Sequence, residues 1–220
     1  CALPISVGRA ESSNFHRFPL PEELHWPGAR MAPHDLWYTQ STNRMPGAPD
    51  YWVMFPMRWS LLDDSFSFHV ATSPDGNVWD LIPTGPDGKD GPVCEPGEPG
   101  TWDGGVVAPG LGLVELPDRR VGVLYSGSPV PHKHPRKPPL GKLGWAWWPA
   151  GRIVALVADT EGSFATWPIQ FEGRTARVNV KTAPAGWLRA EVADRRGKPI
   201  PGRTFDDCDP ISGDELNRSE

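Results

Sequence analysis

The chain contains no apolar run long enough to cross a bilayer as a helix and no basic amphipathic helix, so no membrane partner is predicted. It has no excess of positive charge. The 22 Lys and Arg against 27 Asp and Glu leave a formal charge of −5, the wrong sign for a nucleic-acid footprint. Cysteine is scarce: beyond Cys1 there are Cys94 and Cys208, too few for a disulfide framework. They read as separate thiols, with a single bridge as the alternative. No nucleophile–histidine pairing, phosphate-cradling glycine loop or zinc spacing occurs, which removes those chemistries, and His16, His25, His34 and His69 are scattered. Long helix-compatible stretches are missing too, because 24 Gly and 27 Pro punctuate the 220 residues.

What is present is aromatic and strand-forming. A 38% hydrophobic content with 11 Trp excludes a disordered chain despite the density of turn residues. Tyr51–Trp59 and Phe66–Ala71 are runs of aromatic and β-branched residues. The second closes on Ser73-Pro-Asp-Gly-Asn-Val-Trp79, where Asp75 is placed to accept from backbone amides ahead of it. Gly76 supplies the positive φ, and Trp79 is placed to pack back over the bend. Leu36–Thr39, the Tyr51–Trp59 run, Ser65–Ala71 and Val78–Ile82 make four short strands, the content of one propeller blade. After a Gly/Pro-rich loop, Thr84–Gly105, come Val106–Ala108, Gly112–Leu116, a Pro117–Arg120 turn, Val121–Tyr125, Gly144–Trp148 and Ile153–Val157, read as a second blade. The prolines of 126–139 keep that segment on the surface. From Gly162 onwards Phe164–Phe171, Ala176–Val180 and Leu188–Val192 alternate apolar and polar at period two, the pattern of half-buried antiparallel strands. Asp194-Arg-Arg-Gly197 reads as a hairpin turn. Phe15, Phe18, Leu24 and Trp26 read as a crossing segment in an otherwise polar stretch, 7–34.

The predicted fold class is therefore all-β: a partial propeller over 7–161 followed by an incomplete C-terminal β-sandwich over 162–220. Residues 1–6 read as an adapter-derived scar. Both ends read as cuts, the far one lacking the apolar strand that should follow Gly213.

The turn Ser73–Trp79, the segments Gly100-Thr-Trp-Asp-Gly-Gly105 and Leu124-Tyr-Ser-Gly127, and above all the tail resemble five-bladed propeller glycoside hydrolases of families 32 and 43 with an appended sandwich. In the tail the resemblance is carried by Phe171-Glu-Gly173, Val178-Asn-Val180, Leu188–Val192, Gly197–Gly202 and Asp206–Asp214, which are similar to a bacterial group labelled family-32-like. It covers about residues 35–220. It implies hydrolysis of glycosidic bonds in plant or microbial oligo- or polysaccharides, a carbohydrate partner, no redox cofactor, and a secreted or periplasmic location. Members of this clan carry an acidic nucleophile or base on the first blade and further acids on later blades. Their Trp-Met-Asn-Asp-Pro, Arg-Asp-Pro and Glu-Cys segments do not occur here, and Cys94-Glu95 reverses the last. The catalytic first blades are thus expected upstream of residue 1, and chain 1–220 by itself is expected to lack hydrolase activity. The rival readings are a non-catalytic carbohydrate-binding or structural propeller, and a sialidase-type propeller, whose blade turn has one more residue between its Asp and Trp.

Glycoside hydrolysis needs two carboxyls flanking the scissile bond, one protonated and one ionised. Glu95, Asp103 and Asp50 are the candidate catalytic acids, and Glu98 joins them on the blade mouths. Each lies next to or near a turn, where a carboxylate equally serves its own backbone. Trp52, Trp59, Trp102 and Asp35 are the candidate substrate-binding residues, at strand ends near those loops. Trp79, Trp147 and Trp167 read instead as core or hairpin packing. His132-Lys-His134 offers two metal ligands but no third, and reads as a solvated loop. Asp206, Asp207, Asp209 and Asp214 have the hard-oxygen character of a Ca²⁺ site, with turn-capping as the competing explanation. No metal site is assigned.

Overall fold

The computed structural model describes residues 6–25, 28, 31–85, 88–134 and 140–219. The proposed scar at 1–5, Trp26 and the prolines of 135–139 lie outside them. The described residues are all-β: no α-helix is present, and the sheets do not close into a barrel. The chain divides into two compact units, Cys1–Ala155 and Leu156–Glu220.

In the first unit β1 (Val7–Arg9) pairs antiparallel with β2 (Glu22–His25). Phe15 and Phe18, expected to pack, are exposed between them and touch each other edge to face. An eight-stranded sheet follows, built of two antiparallel meanders. The first comprises β3 (Asp35–Met45), β4 (Ala48–Ser60), the short β5 (Phe66–Phe68) and β6 (Ala71–Ser73), and β7 (Asp80–Leu81). β5 and β6 lie end to end along one edge of β4, while β3 occupies the other. The second meander is β8 (Val106–Leu116), β9 (Arg120–Ser128) and β10 (Lys142–Pro149). A single parallel pair, Phe66 with Val106, joins the two.

The unbroken apolar run in β4 has a direct cause. Val53, Phe55, Met57 and Trp59 face a core shared with the second meander, whereas Met54 points the other way and packs with Val7, Trp37 and Ala71. A central strand covered on both faces has no polar side to display. In the shared core Phe55 stacks on Trp148 (6.3 Å between centroids, 11° between planes) and meets Phe68 edge to face. Val107, Leu113, Val121 and Val123 complete it from the second meander. Burying side chains of this size stabilises the fold by about 1.5–3 kcal/mol each.

The turn after β6 forms as its sequence requires. Ser73 Oγ accepts from the Gly76 amide (2.8 Å), and Asp75 Oδ1 accepts from the amides of Asn77 (2.8 Å) and Val78 (2.9 Å). Gly76 has φ +79°, and Trp79 Nε1 donates to the Gly76 carbonyl (3.1 Å). The two stretches expected as separate strands around Gly110 are one strand, β8, with a bulge between Pro109 and Leu113. Ile153–Val157, expected as the last strand of this blade, is not a strand: Ile153 packs on the core and Val154 onwards is exposed.

In the second unit β11 (Arg177–Lys181) pairs antiparallel with β12 (Asp214–Ser219). The end of the chain, expected to lack a strand, thus forms one. Isolated bridges join Leu188 to Ile211 and Ala193 to Pro199, and Ile211 is fully buried. Asp194 Oδ1 accepts from the amides of Arg196 and Lys198, fixing the expected hairpin turn. Phe164–Phe171 carries no ladder pairing, and Phe164, Trp167, Ile169 and Phe171 are exposed. Alternation sets which face a side chain occupies, but a strand also needs a neighbour to pair with. Trp147 and Trp167, expected in packed positions, are 52% and 88% exposed.

Candidate functional site

Register decides which candidate residues share a neighbourhood. Asp35 pairs with Ser60, Trp59 with Phe66, Phe66 with Val106, Val106 with Ser128, and Gly127 with Lys142. One end of the sheet therefore gathers the start of β3, the end of β4, the start of β5, the start of β8, the end of β9 and the start of β10. Asp35, Trp59, Trp102 and Asp103 all lie at this end. Asp50 and Trp52 do not. Arg44 pairs with Trp52 and Met45 with Ala48, which puts both candidates at the opposite end. There the Arg44 guanidinium lies 4.0 Å from the centre of the Trp52 ring, and Gly76 approaches the indole so closely that a Cβ would sit 3.2 Å from it. Trp52 is packing for the Ser73–Trp79 turn.

The loop before β8 is shaped by consecutive turns. The Thr101 amide donates to the Glu98 carbonyl, the Gly104 amide to Thr101, and the Gly105 amide to Ser128. Asp103 is thereby carried to the mouth of the second meander. Tyr125 Oη donates to its Oδ2 at 2.7 Å, and the Thr101 hydroxyl lies 3.2 Å from Oδ1. Trp102 stacks on Tyr125 (5.5 Å, 26°) over a floor of glycine backbone. A Cβ on Gly127 would lie 2.7 Å from the Trp102 ring, and one on Gly144 2.6 Å from it. Glycine at both positions is what lets the indole settle. The half-buried ring lines an open cleft of about 400 Å³ with Gly100, Pro129, Leu140, Gly141 and Lys142.

Electrostatics tie Glu95 to the same place. The Cys94 thiol, bridged through its backbone to Phe68, is pushed up to about 12 by burial and then by the negative charges of Asp103 and Glu95. Burial, together with the hydrogen bond to Asp103 and its charge, also drives the Tyr125 phenol well above its ordinary range. Tyr125 therefore stays a donor. Cys94 and Cys208 are both free thiols.

Across the joint, Asp35 is 8% exposed, with Arg58 Nη1 3.6 Å and His34 Nε2 3.7 Å from its carboxylate. These are ion-pair distances, longer than hydrogen bonds. Trp59 is buried: its Nε1 donates to Asp64 (3.1 Å), and Lys133 Nζ lies 4.4 Å over its ring. An indole so enclosed offers no face to a sugar. His132 is packed rather than solvated, its ring 4.6 Å from Phe66, 5.3 Å from Trp59 and 5.4 Å from Tyr38. His69 is buried edge-on to Trp37.

Among the described residues no group of three or more His, Cys, Asp or Glu side chains is arranged to hold a metal ion. In the C-terminal acidic cluster, Asp207 caps the 3-10 turn Phe205–Asp207: it accepts from the Thr204 hydroxyl and amide, which hold its carboxyl below the usual range. Asp214 lies 3.8 Å from Lys181. Turn capping and pairing account for these two residues.

The residues missed by sequence reading are Tyr125, Thr101, Arg58, Lys142 and the two floor glycines. Tyr125 carries the one available signal, an aromatic on the inward side of an alternating strand. The glycines carry none, since what they touch is distant in sequence.

No protein-family model matches this chain, and no curated protein matches it. Solved structures similar to it include one named "Glycoside hydrolase", at 15% identity and a TM-score of 0.41, covering 58% of this chain and 36% of that structure. Another, named as a BT0996 complex with RGII, is 16% identical with a TM-score of 0.38, covering 58% of this chain and 38% of its own. The chain spans little more than a third of the length of either.

Proposed function

We propose that this chain is part of a glycoside hydrolase, its two meanders being adjacent blades of a five-bladed propeller and its C-terminal unit part of a β-sandwich. The sugar-binding centre lies at the end of the sheet where β3 and β8 begin. The observation that carries this reading is the convergence there of a half-buried Trp102 ring, the Asp103 carboxylate held by Tyr125, and the buried Asp35 with its Arg58. An aromatic plate offers the C–H face of a pyranose a flat apolar surface, and oriented carboxylates beside it bind hydroxyls or act on the glycosidic bond. Asp35 and Asp103 stand at matching places, each at the entrance to the first strand of its meander. Trp102 is the sugar plate and Asp103 the acid nearest it.

A non-catalytic sugar-binding propeller is the second reading. It is favoured by the partners the carboxylates already have: Asp103 is engaged by Tyr125, and Asp35 by Arg58 and His34. Both readings require sugar binding by chain 1–220 and neither requires turnover by it. Titration with a panel of plant and microbial oligosaccharides, followed by tryptophan fluorescence and NMR, is expected to give saturable binding. Trp102→Ala should abolish it while thermal unfolding stays cooperative. A panel with no binder at all would remove the proposal. Turnover by the parent open reading frame that Asp103→Asn eliminates would select the enzyme over the binder.

A further inference from the structure

Among the described residues Lys142 is the one charged residue lining the Trp102 cleft; its companions there are Gly100, Trp102, Pro129, Leu140 and Gly141. It opens β10, pairs through its backbone with Gly127, and makes no ion pair or side-chain hydrogen bond among the described residues. The acids nearby are otherwise engaged or turned to other neighbours. Asp103 faces Tyr125 and Thr101, and Glu98 enters the loop through its carbonyl. In a chain of net charge −5, an uncompensated ammonium in an otherwise uncharged lining is a local reversal of sign. A cation beside an aromatic plate suits a ligand with an apolar ring face and a negative charge at its rim.

We infer that the cleft selects a sugar unit bearing one negative charge, a uronate carboxylate or a sulfate ester, with the ring on Trp102 and the charge at Lys142. This deepens the sugar-binding reading above and rests on it. The lysine is exposed, so the selectivity it confers is modest. A rim ion pair supplies a preference of about three- to fivefold at low salt and less at physiological ionic strength.

The test uses chain 1–220 and three ligand series of equal length: neutral galactose oligomers, galacturonate oligomers and galactose oligomers carrying sulfate esters. Affinities are measured by NMR titration at low and high salt. At least one acidic series is expected to bind about three- to fivefold more tightly than the neutral one at low salt, and to lose that margin as salt rises. Which acidic series does so identifies the source of the charge. Lys142→Met should equalise acidic and neutral ligands without weakening the neutral one, and Lys142→Glu should reverse the order. Circular dichroism and the unfolding midpoint report whether each variant keeps its fold. Equal affinity for all three series in the wild-type chain overturns the inference and leaves the sugar site intact. Loss of neutral binding in a folded Lys142→Met variant also overturns it, since the lysine would then act on the ring and not the charge. No binding in any series removes the underlying reading as well.

Discussion

Asn43 on β3 grips Leu113 on β8 at both ends of its peptide group: its Nδ2 donates to the Leu113 carbonyl at 2.6 Å, and its Oδ1 accepts from the Leu113 amide at 2.9 Å. A side-chain amide here stands in for a neighbouring strand at the bulge in β8, where the ladder is interrupted. Gly112 shares the arrangement. It has φ +88°, and a Cβ there would lie 2.5 Å from Asn43 Oδ1. This clasp holds the opening strands of the two meanders together, and so fixes where Asp35 and Asp103 stand relative to each other.

Replacing Asn43 by Ala leaves the amide and carbonyl of fully buried Leu113 without partners, which costs about 1–3 kcal/mol. Asn43→Asp keeps the acceptor but sets a carboxylate against the Leu113 carbonyl, so it should rescue less than half of the loss. Urea unfolding of both variants checks this. An Asn43→Ala midpoint equal to wild type would show that the clasp carries no stability.

The glycine floor under Trp102 gives a second prediction. A Cβ at Gly144 would sit 2.6 Å from the indole and 3.1 Å from Tyr125, whereas one at Gly141 has its nearest atom at 3.8 Å. Gly144→Ala should destabilise the first unit by about 1–3 kcal/mol and displace Trp102, with near-UV circular dichroism changing and sugar binding lost. Gly141→Ala, on the same cleft, should do neither. Matching behaviour of the two variants would mean that the floor does not position the ring.

How much of this was legible in the sequence follows from how local each determinant is. The Ser73–Trp79 turn was readable in full because every partner lies within a few residues. The strands of both meanders were readable from their β-branched and aromatic runs, though β3 extends to Met45, well beyond the stretch expected. The Asn43–Leu113 clasp was not readable, because a polar residue in a strand looks like a solvent-facing one until the partner 70 positions away is known. Trp147 and Trp148 show the same limit. Neighbours along a strand must face opposite ways, so one of them had to lie outside; the sequence alone does not say that Trp148 is the one stacked on Phe55. At the site, Trp102 and Asp103 were found as a loop motif, while Tyr125, Lys142 and the glycines were brought to them by pairing of β8, β9 and β10. Asp50 and Trp52 were grouped with them by composition, and the register of β3 on β4 separated them.

The turn makes a prediction about acid. The amides of Val78 and Asn77, which donate to Asp75, hold its carboxyl below the usual range. A folded-state pKa below the unfolded one gives stability that is present above the unfolded pKa and lost as pH falls through the folded one. Wild-type stability should therefore drop below about pH 4, the ordinary aspartate range, by more than that of Asp75→Ala, which has no such carboxylate to protonate. Denaturant midpoints at neutral pH and at successively lower pH test it. Parallel acid profiles for the two proteins would show that the turn carboxylate is not coupled to folding.

Cys94 makes the corresponding prediction in base, with the opposite sign. Burial, then the charges of Asp103 and Glu95, raise its folded-state pKa from 9.0 to about 12, so the native structure favours the neutral thiol. That contribution is fully present below the unfolded pKa and declines as pH rises from about 9 towards 12, because the unfolded chain there has lost a proton that the native chain retains. Denaturant unfolding of wild type and Cys94→Ala across this window should show a steeper decline for wild type; other groups titrating there are common to both proteins and cancel in the difference. The same protection predicts kinetics. At pH 8 a thiol reagent should modify Cys94 only slowly in the native protein, with peptide mapping distinguishing it from Cys1 and Cys208, and promptly once urea is added. Rapid modification of Cys94 in the folded chain, together with parallel alkaline profiles, would mean that Asp103 and Glu95 do not press on this thiol, and would detach Glu95 from the neighbourhood of Asp103.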